Sequence, residues 1–550
     1  MKKINSIIET IFSIIVLFLL TNNQINAQEN IRDEVNSHLK NLPFKSFDIQ
    51  LPSFNNKIFN IKDYGAIGDG HTMNTYAFKN TIEACSKAGG GQVLVPPGLW
   101  LTGPIELQSN IDFHVERGAL ILFSPNHNDY PVIKRPAGSY IVAPPIYGFN
   151  LENIAITGQG LIDGNGTTWR PLKRSKVNQS LWRKFINSGG VTNSDNSIWY
   201  PSKAARDGRE EFAKLRKSKK EITPEDLLPF RDAMRPRLVL LINCKKIFIS
   251  NITLENAPTF ALNPIFCEDL VIRNIKVNNE YWAQNGDAVD IGMSKNVLVY
   301  GCTITAGDDG ICMKSGNAYS PGPALQNIVI EDCVVYHAHG GFVTGSETNG
   351  GMHNIYVNNC DFVGTDVGLR FKSGRNRGGL VDNIFIKNIF MKDIGSEAVL
   401  FNTYYENSKD NEKAAVNART PIFKNIFIDS IFCDGARQAV LADGLPELPI
   451  QDIKISNSYI SADKGFESKY AEGFTINNVE IVTKSAPVFN LDESSDFTLN
   501  KIIYSKDITN FLTVSGKDSK SISIENTHIP DSDNQIKFMD GVNKSTVILK

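Results

Sequence analysis

One short phrase recurs through the middle of the chain: Lys295-Asn296-Val297-Leu298-Val299, Gln326-Asn327-Ile328-Val329-Ile330, His353-Asn354-Ile355-Tyr356-Val357 and Asp382-Asn383-Ile384-Phe385-Ile386. The copies begin 27 to 31 residues apart, a period that is typical of a solenoid. Their β-branched residues alternate, and Gly or Asn turns rather than helices separate them. This pattern predicts an all-β chain whose parallel strands wind into a β-helix.

The same kind of phrase extends well beyond these four copies. It begins near Asn153-Ile154-Ala155-Ile156 and is still present at Ser521-Ile522-Ser523-Ile524, with steps of roughly 21 to 42 residues between strand starts. Unequal steps predict a fixed coil with variable loops. Asparagine recurs just before many strands and near their ends, which suits a ladder of stacked side-chain amides. We therefore assign residues 151–550 to one β-helix domain.

Composition agrees with a folded protein and excludes one class of partner. The 550 residues are 41% hydrophobic and 21% charged, and the formal net charge is −2. The first two values are those of globular proteins. A nucleic-acid-binding surface would need a basic excess, so no nucleic-acid partner is expected.

The N-terminal part is predicted to hold three units before the main domain. Residues 1–27 have a basic start, a short apolar run and a small-residue site after Ala27, as in a signal peptide. Residues 28–58 form a polar lead-in, and residues 59–150 hold a capping helix over 76–88 and the first coils. End repeats of a solenoid are usually atypical, and such a helix would cover the open end. We expect a secreted or periplasmic protein without a membrane anchor.

The eight cysteines allow two interpretations. An even number in an exported chain is compatible with disulfides. However, Cys302, Cys333 and Cys360 each lie five residues after the strand starts Val297, Ile328 and Ile355, a position that neighbouring repeats fill with isoleucine. Free cysteine behaves as a small apolar residue, so we favour buried thiols.

Residues 164–236 interrupt the repeat. They hold three of the five tryptophans, Trp169, Trp182 and Trp199, together with many cations. One interpretation is a solvated excursion packed on the coil. The other is a wall of a binding site that attracts an anionic sugar chain, because long insertions are often functional.

Four polar clusters follow successive strand phrases: Asn285-Gly286-Asp287, Gly307-Asp308-Asp309, His339-Gly340 and Arg370-Phe371-Lys372. Measured from the strand starts, Asp308 and His339 both lie eleven residues along their coils. Adjacent parallel strands lie about 4.8 Å apart. We therefore expect these side chains to line one face over four turns, although each cluster alone is commonly a solvated turn or a structural residue.

The predicted cluster has the groups that glycoside hydrolysis needs. Three neighbouring carboxylates, Asp287, Asp308 and Asp309, must repel, so at least one should resist ionisation. A protonated acid beside a charged base can protonate the leaving oxygen and activate water. Arg370 and Lys372 point to the same side of a strand, where together they could bind a carboxylate and thus a uronic acid.

These four ordered motifs resemble the signatures of the polygalacturonases, glycoside hydrolase family 28. The resemblance implies a right-handed parallel β-helix and an inverting hydrolase that acts on α-galacturonosyl linkages of pectic polysaccharide or oligogalacturonides. It implies that Asp308 is the general acid and that Asp287 and Asp309 position and deprotonate water. His339 would tune the acid, Asn285 would contact substrate, and Arg370 and Lys372 would bind the sugar carboxylate. No cofactor or metal is implied, and we expect a monomer.

Two positions depart from the family pattern. Gly286 stands where the family usually has Thr, and Ala338 stands where it usually has Gly. Neither change removes a catalytic group, but Gly286 could alter sugar contacts. The run His339-Gly340-Gly341-Phe342-Val343-Thr344-Gly345-Ser346-Glu347 is similar to bacterial exo-acting members, so exo-action is favoured.

Three alternatives remain open from the sequence. A calcium-dependent pectate lyase on the same fold would use the aspartates as metal ligands. A hydrolase of the same family could act on rhamnogalacturonan or a decorated galacturonan. A non-catalytic β-helix could simply bind polysaccharide.

Overall fold

The computed structural model describes residues 29–219, 221–316, 322–405 and 412–550. The predicted signal peptide, residues 1–27, lies outside this range. The described chain folds as a right-handed parallel β-helix, as the repeat and the family resemblance predict. Its helices are few and lie at the start of the chain, in the insertion and near the C-terminus.

Each central coil contains three short strands. In one coil they are Lys295–Tyr300, Thr303–Thr305 and Asp309–Lys314. Each strand pairs in parallel with its counterpart in the next coil. The third strands form one 14-stranded sheet, which carries all of the candidate site residues that lie within strands.

The bounds of that 14-stranded sheet are Ile105–Glu106, Ile146–Phe149, Val239–Ile242, Leu262–Ile265, Val289–Gly292, Asp309–Lys314, Gly340–Thr344, Leu369–Lys372, Glu397–Asn402, Gln438–Asp443, Lys464–Lys469, Phe489–Asp492, Leu512–Ser515 and Ile536–Phe538. The first strands of the coils are Ile58–Asn60, Gly91–Val95, Ile111–Val115, Glu152–Gly158, Lys245–Ser250, Glu268–Arg273, Lys295–Tyr300, Leu325–Glu331, Met352–Val363, Leu380–Lys392, Ile426–Asp434, Ile453–Ala462, Thr475–Thr483, Ser495–Tyr504, Lys520–Glu525 and Val547–Leu549. The second strands and shorter pieces are Gly98–Thr102, Ala119–Phe123, Leu161–Asp163, Thr253–Glu255, Lys276–Asn278, Thr303–Thr305, Val334–Tyr336, Ile422–Phe423, Ile450–Gln451 and Ala471–Glu472.

The strand starts from which positions were counted in the sequence pair with one another in the structure. Leu270 pairs with Val297, Val297 with Ile328, and Ile328 with Ile355. All four side chains are fully buried in the interior of the coil. The alternation in the sequence therefore reports correctly which side chains stack inward.

The predicted amide ladder is present. Asn296, Asn327, Asn354 and Asn383 each precede a strand start, adopt positive φ angles and stack on one another. Asn327 Nδ2 donates to Asn296 Oδ1 over 3.0 Å, and Asn327 Oδ1 accepts from Asn354 Nδ2 over 3.0 Å. Asparagine tolerates the left-handed region better than most residues, and its side chain bonds the equivalent asparagines of the neighbouring coils.

The cysteines follow the apolar interpretation. All eight lie in the described part of the chain, and they are free and buried. Cys302 and Cys333 lie between the first and second strands of their coils, Cys360 lies at the equivalent position within the long strand Met352–Val363, and all three share one core with Ile275 and Ile389.

The N-terminal part of the described chain contains two helices, of which the sequence predicted one. The helix Thr75–Lys87 buries Phe78 and Ile82 against the first coils, as a cap should. Within the lead-in, residues 29–38 are also helical. Val35 packs on the outer face of the coil, against Val271 and Leu298. The lead-in is therefore part of the folded body rather than a polar tail.

The insertion has secondary structure that its sequence did not reveal. It contains the helices Gln179–Asn187, Lys203–Ser218 and Pro224–Leu227 and a three-stranded sheet of Leu172–Lys173, Val191–Thr192 and Ile198–Tyr200. Leu172, Trp182 and Trp199 form a small core of their own. Arg170 fastens the insertion to the coil by an ion pair of 2.6 Å with Glu280.

The remaining elements are short. They are the hairpin Val132–Lys134 and Tyr140–Val142, the helix Ser532–Gln535 and the 3-10 turns Ile61–Tyr64, His127–Asp129, Gly166–Thr168, Arg174–Lys176, Leu228–Ala233 and Lys544–Thr546. None of the helices in the described ranges combines the length and the apolar character that crossing a bilayer requires.

Candidate active site

The candidate residues come from four neighbouring strands of the 14-stranded sheet. Asp287 lies two residues before the strand Val289–Gly292, and Asp309 is the first residue of the strand Asp309–Lys314. His339 directly precedes Gly340–Thr344, and the two cations lie in Leu369–Lys372. Because these strands pair in this order, the polar groups follow one another across one face of the coil.

The three aspartates form a tight cluster. One carboxylate oxygen from each of Asp287, Asp308 and Asp309 can be chosen so that all lie within 4.8 Å of one another. Asp308 is the most accessible of the three, with 17% of its side chain exposed, whereas that of Asp309 is 2% exposed. The cluster is therefore open to solvent mainly through Asp308.

The predicted cation pair grips Asp309. Lys372 Nζ lies 2.7 Å from Asp309 Oδ2, and Arg370 Nη1 lies 3.2 Å from Asp309 Oδ1. Phe371 between them is fully buried in the core, so both cations point outward as strand alternation requires. Gly340 matters here, because a Cβ at that position would meet the Arg370 side chain at 3.3 Å.

His339 contacts Asp308 in two ways. Its Nδ1 lies 3.0 Å from Asp308 Oδ1, and its backbone N–H donates to the Asp308 carbonyl over 2.7 Å. The equal offsets of Asp308 and His339 along their coils therefore place them side by side.

The carboxyl groups of the cluster differ in pKa because their surroundings differ. Burial, together with the charges of Asp290 and Asp308, raises the pKa of Asp287 well above its ordinary value. Burial also acts on Asp309, but Lys372, Lys314 and Arg370 outweigh it and hold the pKa of that carboxyl below its ordinary value. Without substrate, Asp287 therefore retains a proton at a pH where Asp309 is charged.

Asp308 belongs to the charged side of this division. Burial opposes ionisation, but the hydrogen bond from His339 leaves the pKa of Asp308 below its ordinary value. A general acid must hold a proton, so Asp308 would have to gain one when substrate binds.

Sequence reasoning missed two charged residues beside the cluster. Asp290 is fully buried, and neither of its carboxylate oxygens accepts a hydrogen bond from the described residues. Lys314 Nζ lies 3.7 Å from Asp290 Oδ2. Burial raises the pKa of Asp290 to about 6. The available signal was a charge within the otherwise apolar strand Val289–Gly292 and a second charge, after Asp309, at the end of the strand Asp309–Lys314.

A cleft of about 600 Å³ opens over the cluster. Of the candidate residues, Asn285, Asp287, Asp308, Asp309 and Lys372 line it, whereas His339 and Arg370 do not. The cleft has further positive charges in Arg135, Arg237, Lys314 and Arg377. Such a cleft suits a negatively charged chain.

Comparison with known proteins agrees with the geometry. The sequence model of glycosyl hydrolases family 28 matches residues 229–471. An exo-poly-alpha-D-galacturonosidase of Dickeya chrysanthemi is 30% identical over 380 residues, which cover 66% of this chain and 60% of that protein. A probable polygalacturonase of Vitis vinifera is 27% identical over 72% of each chain. The crystal structure of a hyperthermoactive exopolygalacturonase from Thermotoga maritima superimposes with a TM-score of 0.66 at 27% identity, covering 84% of this chain and 97% of the other.

The match over residues 229–471, the curated relatives and the solved structure together support glycoside hydrolase family 28 for this chain. The chain is therefore a glycoside hydrolase with polygalacturonases as its relatives, and the clustered aspartates lie inside the segment that the family model matches. Most of the insertion, by contrast, precedes that segment.

The structure gives a physical reason for one departure from the family-28 pattern. A Cβ on Gly286 would lie 2.7 Å from the Ala283 side chain and 3.0 Å from its carbonyl oxygen. The loop before Asp287 is thus folded tightly enough to favour glycine. Arg235 holds the same loop by donating to the Gln284 carbonyl and to Asn285 Oδ1, each over 2.9 Å. Asn285 is therefore oriented by an arginine at the end of the insertion.

Proposed function

We propose that this protein is a secreted, exo-acting polygalacturonase that hydrolyses α-galacturonosyl linkages of pectin with inversion of configuration. The observation that carries the proposal is the division of one carboxylate cluster into a proton-holding Asp287 and a charged Asp309 held by Lys372 and Arg370. Acid and base functions at one pH are what hydrolysis of a glycosidic bond requires.

Arg370 and Lys372 are proposed to bind the carboxylate of a galacturonosyl unit next to the bond that is cleaved. In the free protein their charges are directed at Asp309. A bound uronate would share them, which gives the site a preference for acidic sugars over neutral ones.

Binding of the substrate carboxylate can also lead to protonation of the general acid. A substrate carboxylate beside Arg370 and Lys372 adds negative charge near the cluster, and negative charge raises the pKa of a neighbouring carboxyl. The most accessible carboxyl, Asp308, then takes a proton and passes it to the leaving oxygen. Asp309, which is charged, accepts the proton of the attacking water, and Asp287, which holds its proton, positions that water.

The stereochemical outcome is decided by one measurement. Inverting glycosidases commonly have carboxyl groups about 6.5–9.5 Å apart, whereas retaining enzymes have about 5–5.5 Å. The closest oxygens here lie within 4.8 Å, which favours a retaining double displacement as the second candidate. Proton NMR of the first product distinguishes them: the β-anomer from an α-linkage supports inversion, and the α-anomer contradicts it.

Exo-action is supported by the cleft and by two relatives. The loop of the hairpin Val132–Lys134 and Tyr140–Val142 brings Arg135–Ala137 to the cleft wall, where we propose that it closes one end. The relatives from Dickeya and Thermotoga are named as exo-enzymes. Chromatography over time on polygalacturonate should show short products from the start, and a ladder of long intermediates would indicate endo-action.

The other substrates are tested in the same experiment. Parallel digests of rhamnogalacturonan should release no product, and faster release from it would move the assignment to the related specificity. A lyase would instead produce an unsaturated product with ultraviolet absorbance that a chelator abolishes. A polysaccharide-binding protein without activity would produce no new reducing ends on any of these substrates.

Secretion is proposed from the N-terminal residues of the sequence, which lie outside the described range. Expression of the full chain in a bacterial host should yield an exported protein whose first residue is Gln28. Sequencing of the mature N-terminus checks this, and recovery of an uncut chain in the cytoplasm would contradict it.

A further inference from the structure

The insertion places a lysine against the catalytic histidine. Lys176 closes the 3-10 turn Arg174–Lys176, and its Nζ lies 3.2 Å from His339 Nε2. The same Nζ donates to the carbonyl of Gly307, the residue before Asp308, over 3.1 Å. Lys176 therefore contacts both His339 and the loop that carries Asp308, although it lies 53 residues before the segment that the family model matches.

Strand pairing and packing within the insertion fix the position of Lys176. Its turn follows the strand Leu172–Lys173, which pairs with Ile198–Tyr200. Leu172 packs with Trp182 and Trp199 in the insertion's own core, and Trp282 of the coil packs against that core. The ammonium group is half-buried, and burial lowers the pKa of Lys176 while Asp308 opposes that shift.

The contact decides where the histidine carries its hydrogen. A lysine ammonium has three donors and no acceptor, so His339 Nε2 must accept from it. The ring hydrogen of neutral His339 then resides on Nδ1, where it can be donated to Asp308 Oδ1, 3.0 Å away.

A second carboxylate makes this choice consequential. Asp366 Oδ2 lies 3.8 Å from the same Nε2, and its side chain is largely exposed. Without Lys176, Nε2–H could turn to Asp366, and Nδ1 would then present a lone pair to Asp308. Arg370 donates to the backbone carbonyl of His339 over 3.3 Å. Because this hydrogen bond does not involve the imidazole ring, it does not select the tautomer.

We propose that Lys176 is a positioning residue that holds His339 in the Nδ1–H tautomer, so that the ring donates its hydrogen bond to Asp308. The role rests on the proposed function, in which Asp308 is the general acid. It assigns to the insertion a part in catalysis, beyond any part in binding the polysaccharide.

The first test is kinetic. Lys176→Met should lower kcat on polygalacturonate by about tenfold to a hundredfold and leave KM within about twofold, because the residue acts on the acid rather than on sugar binding. Lys176→Arg, which keeps a donor, should recover most of the loss. The matched control is Lys203→Met, which removes an exposed lysine of the same insertion and should leave both constants unchanged.

A double-mutant cycle separates this role from others. In a His339→Gln background, Lys176→Met should have less than about a twofold further effect, because its partner is already gone. A full additional loss in that background, or a rise in KM at constant kcat, would overturn the proposal. Loss of all activity in Asp308→Asn together with additive Lys176 and His339 effects would remove this inference and leave the proposed function intact.

A measurement on the unmodified protein keeps the test independent of folding defects. The ring-nitrogen NMR shifts of His339, assigned by comparison with His339→Gln, should show the hydrogen on Nδ1. A neutral ring that carries it on Nε2 would contradict the proposal.

Discussion

Asp287, Asp308 and Asp309 differ in proton affinity because of what surrounds each side chain. Asp309 is buried but has Lys372 at 2.7 Å, whereas Asp287 is buried with one carboxylate oxygen that accepts no hydrogen bond from the described residues. Removing a cation should therefore affect the base before it affects the fold.

Replacement of Lys372 by methionine should shift the acidic limb of the pH profile. The mutation removes a charge that lowers the pKa of Asp309, so that pKa rises. Because a base works only above its pKa, the acidic limb of kcat/KM should move to higher pH, and KM for the uronate should increase. Lys392→Met, at an exposed lysine, is the control. An acidic limb and a KM that both stay at wild-type values would contradict this role.

Loading of Asp308 by substrate has its own signature. The profile of kcat/KM reports groups of the free enzyme, and that of kcat reports the complex. In the proposed mechanism a bound uronate raises the pKa of Asp308, which must be protonated to act as the general acid. The alkaline limb of kcat should consequently lie at higher pH than that of kcat/KM. Coincident alkaline limbs would show that the acid is loaded without help from the substrate.

Asp290 should reduce stability as the pH rises. Burial raises its pKa to about 6, above the value of 3.8 for an ordinary aspartate. Such a group contributes fully below the lower value, and the contribution is lost as the pH rises through the folded value. Asp290→Asn should accordingly be more stable than wild type at pH 7, by up to roughly 3 kcal/mol.

The check for Asp290→Asn is denaturant unfolding at two pH values. The advantage over wild type should shrink towards pH 4, where the wild-type carboxyl is already neutral. A variant less stable than wild type at pH 7 would show that the attraction of Lys314 outweighs burial.

The candidate site was only partly predictable at this scale. Asp308 and His339 share an offset along their coils, and this was enough to predict that they meet. No shared offset marks the other three residues of the site. Lys176 reaches the site only through the three-dimensional path of the insertion. Asp290 interrupts an apolar strand, and Lys314 ends the next strand of the sheet.

Among the elements, the asparagine ladder offers a direct test of how the coils are held in register. Asn327→Ala removes two side-chain hydrogen bonds and puts alanine at a φ of 59°. We expect a loss of about 2 kcal/mol in the free energy of unfolding. Asn327→Gly should lose about half as much, because glycine accepts the left-handed region. Equal losses in the two variants, measured by urea unfolding, would contradict this explanation.

The repeat and the insertion differ in how much the sequence reveals. Strand phrases such as the one around Val297 recur with the same buried positions, so periodicity reports the coil. The helix Lys203–Ser218 is rich in charged residues and buries only Gly208 fully, so its apolar signal is weak. Its position depends on packing against the 3-10 turn Leu228–Ala233, a contact that local sequence does not encode.

At the scale of the whole molecule, the β-helix is a frame in which successive coils each contribute polar groups to the same face. Carboxylates, histidine and cations come from consecutive strands of one sheet or from the residues just before them, and the insertion contacts this group through Lys176 and Arg235. The fold class could be predicted because every coil repeats one rule. The differences in pKa among the three aspartates could not be predicted, because they sum burial and charges from several coils.

The most direct test of the central claim is turnover by Asp308→Asn and Asp287→Asn on polygalacturonate, measured as new reducing ends. Both variants should remain folded and lose about a thousandfold or more in kcat, whereas Asp361→Asn, at an exposed site in the strand Met352–Val363, should be unaffected. Turnover within about tenfold of wild type in both aspartate variants would contradict the assignment of this carboxylate cluster as the catalytic centre.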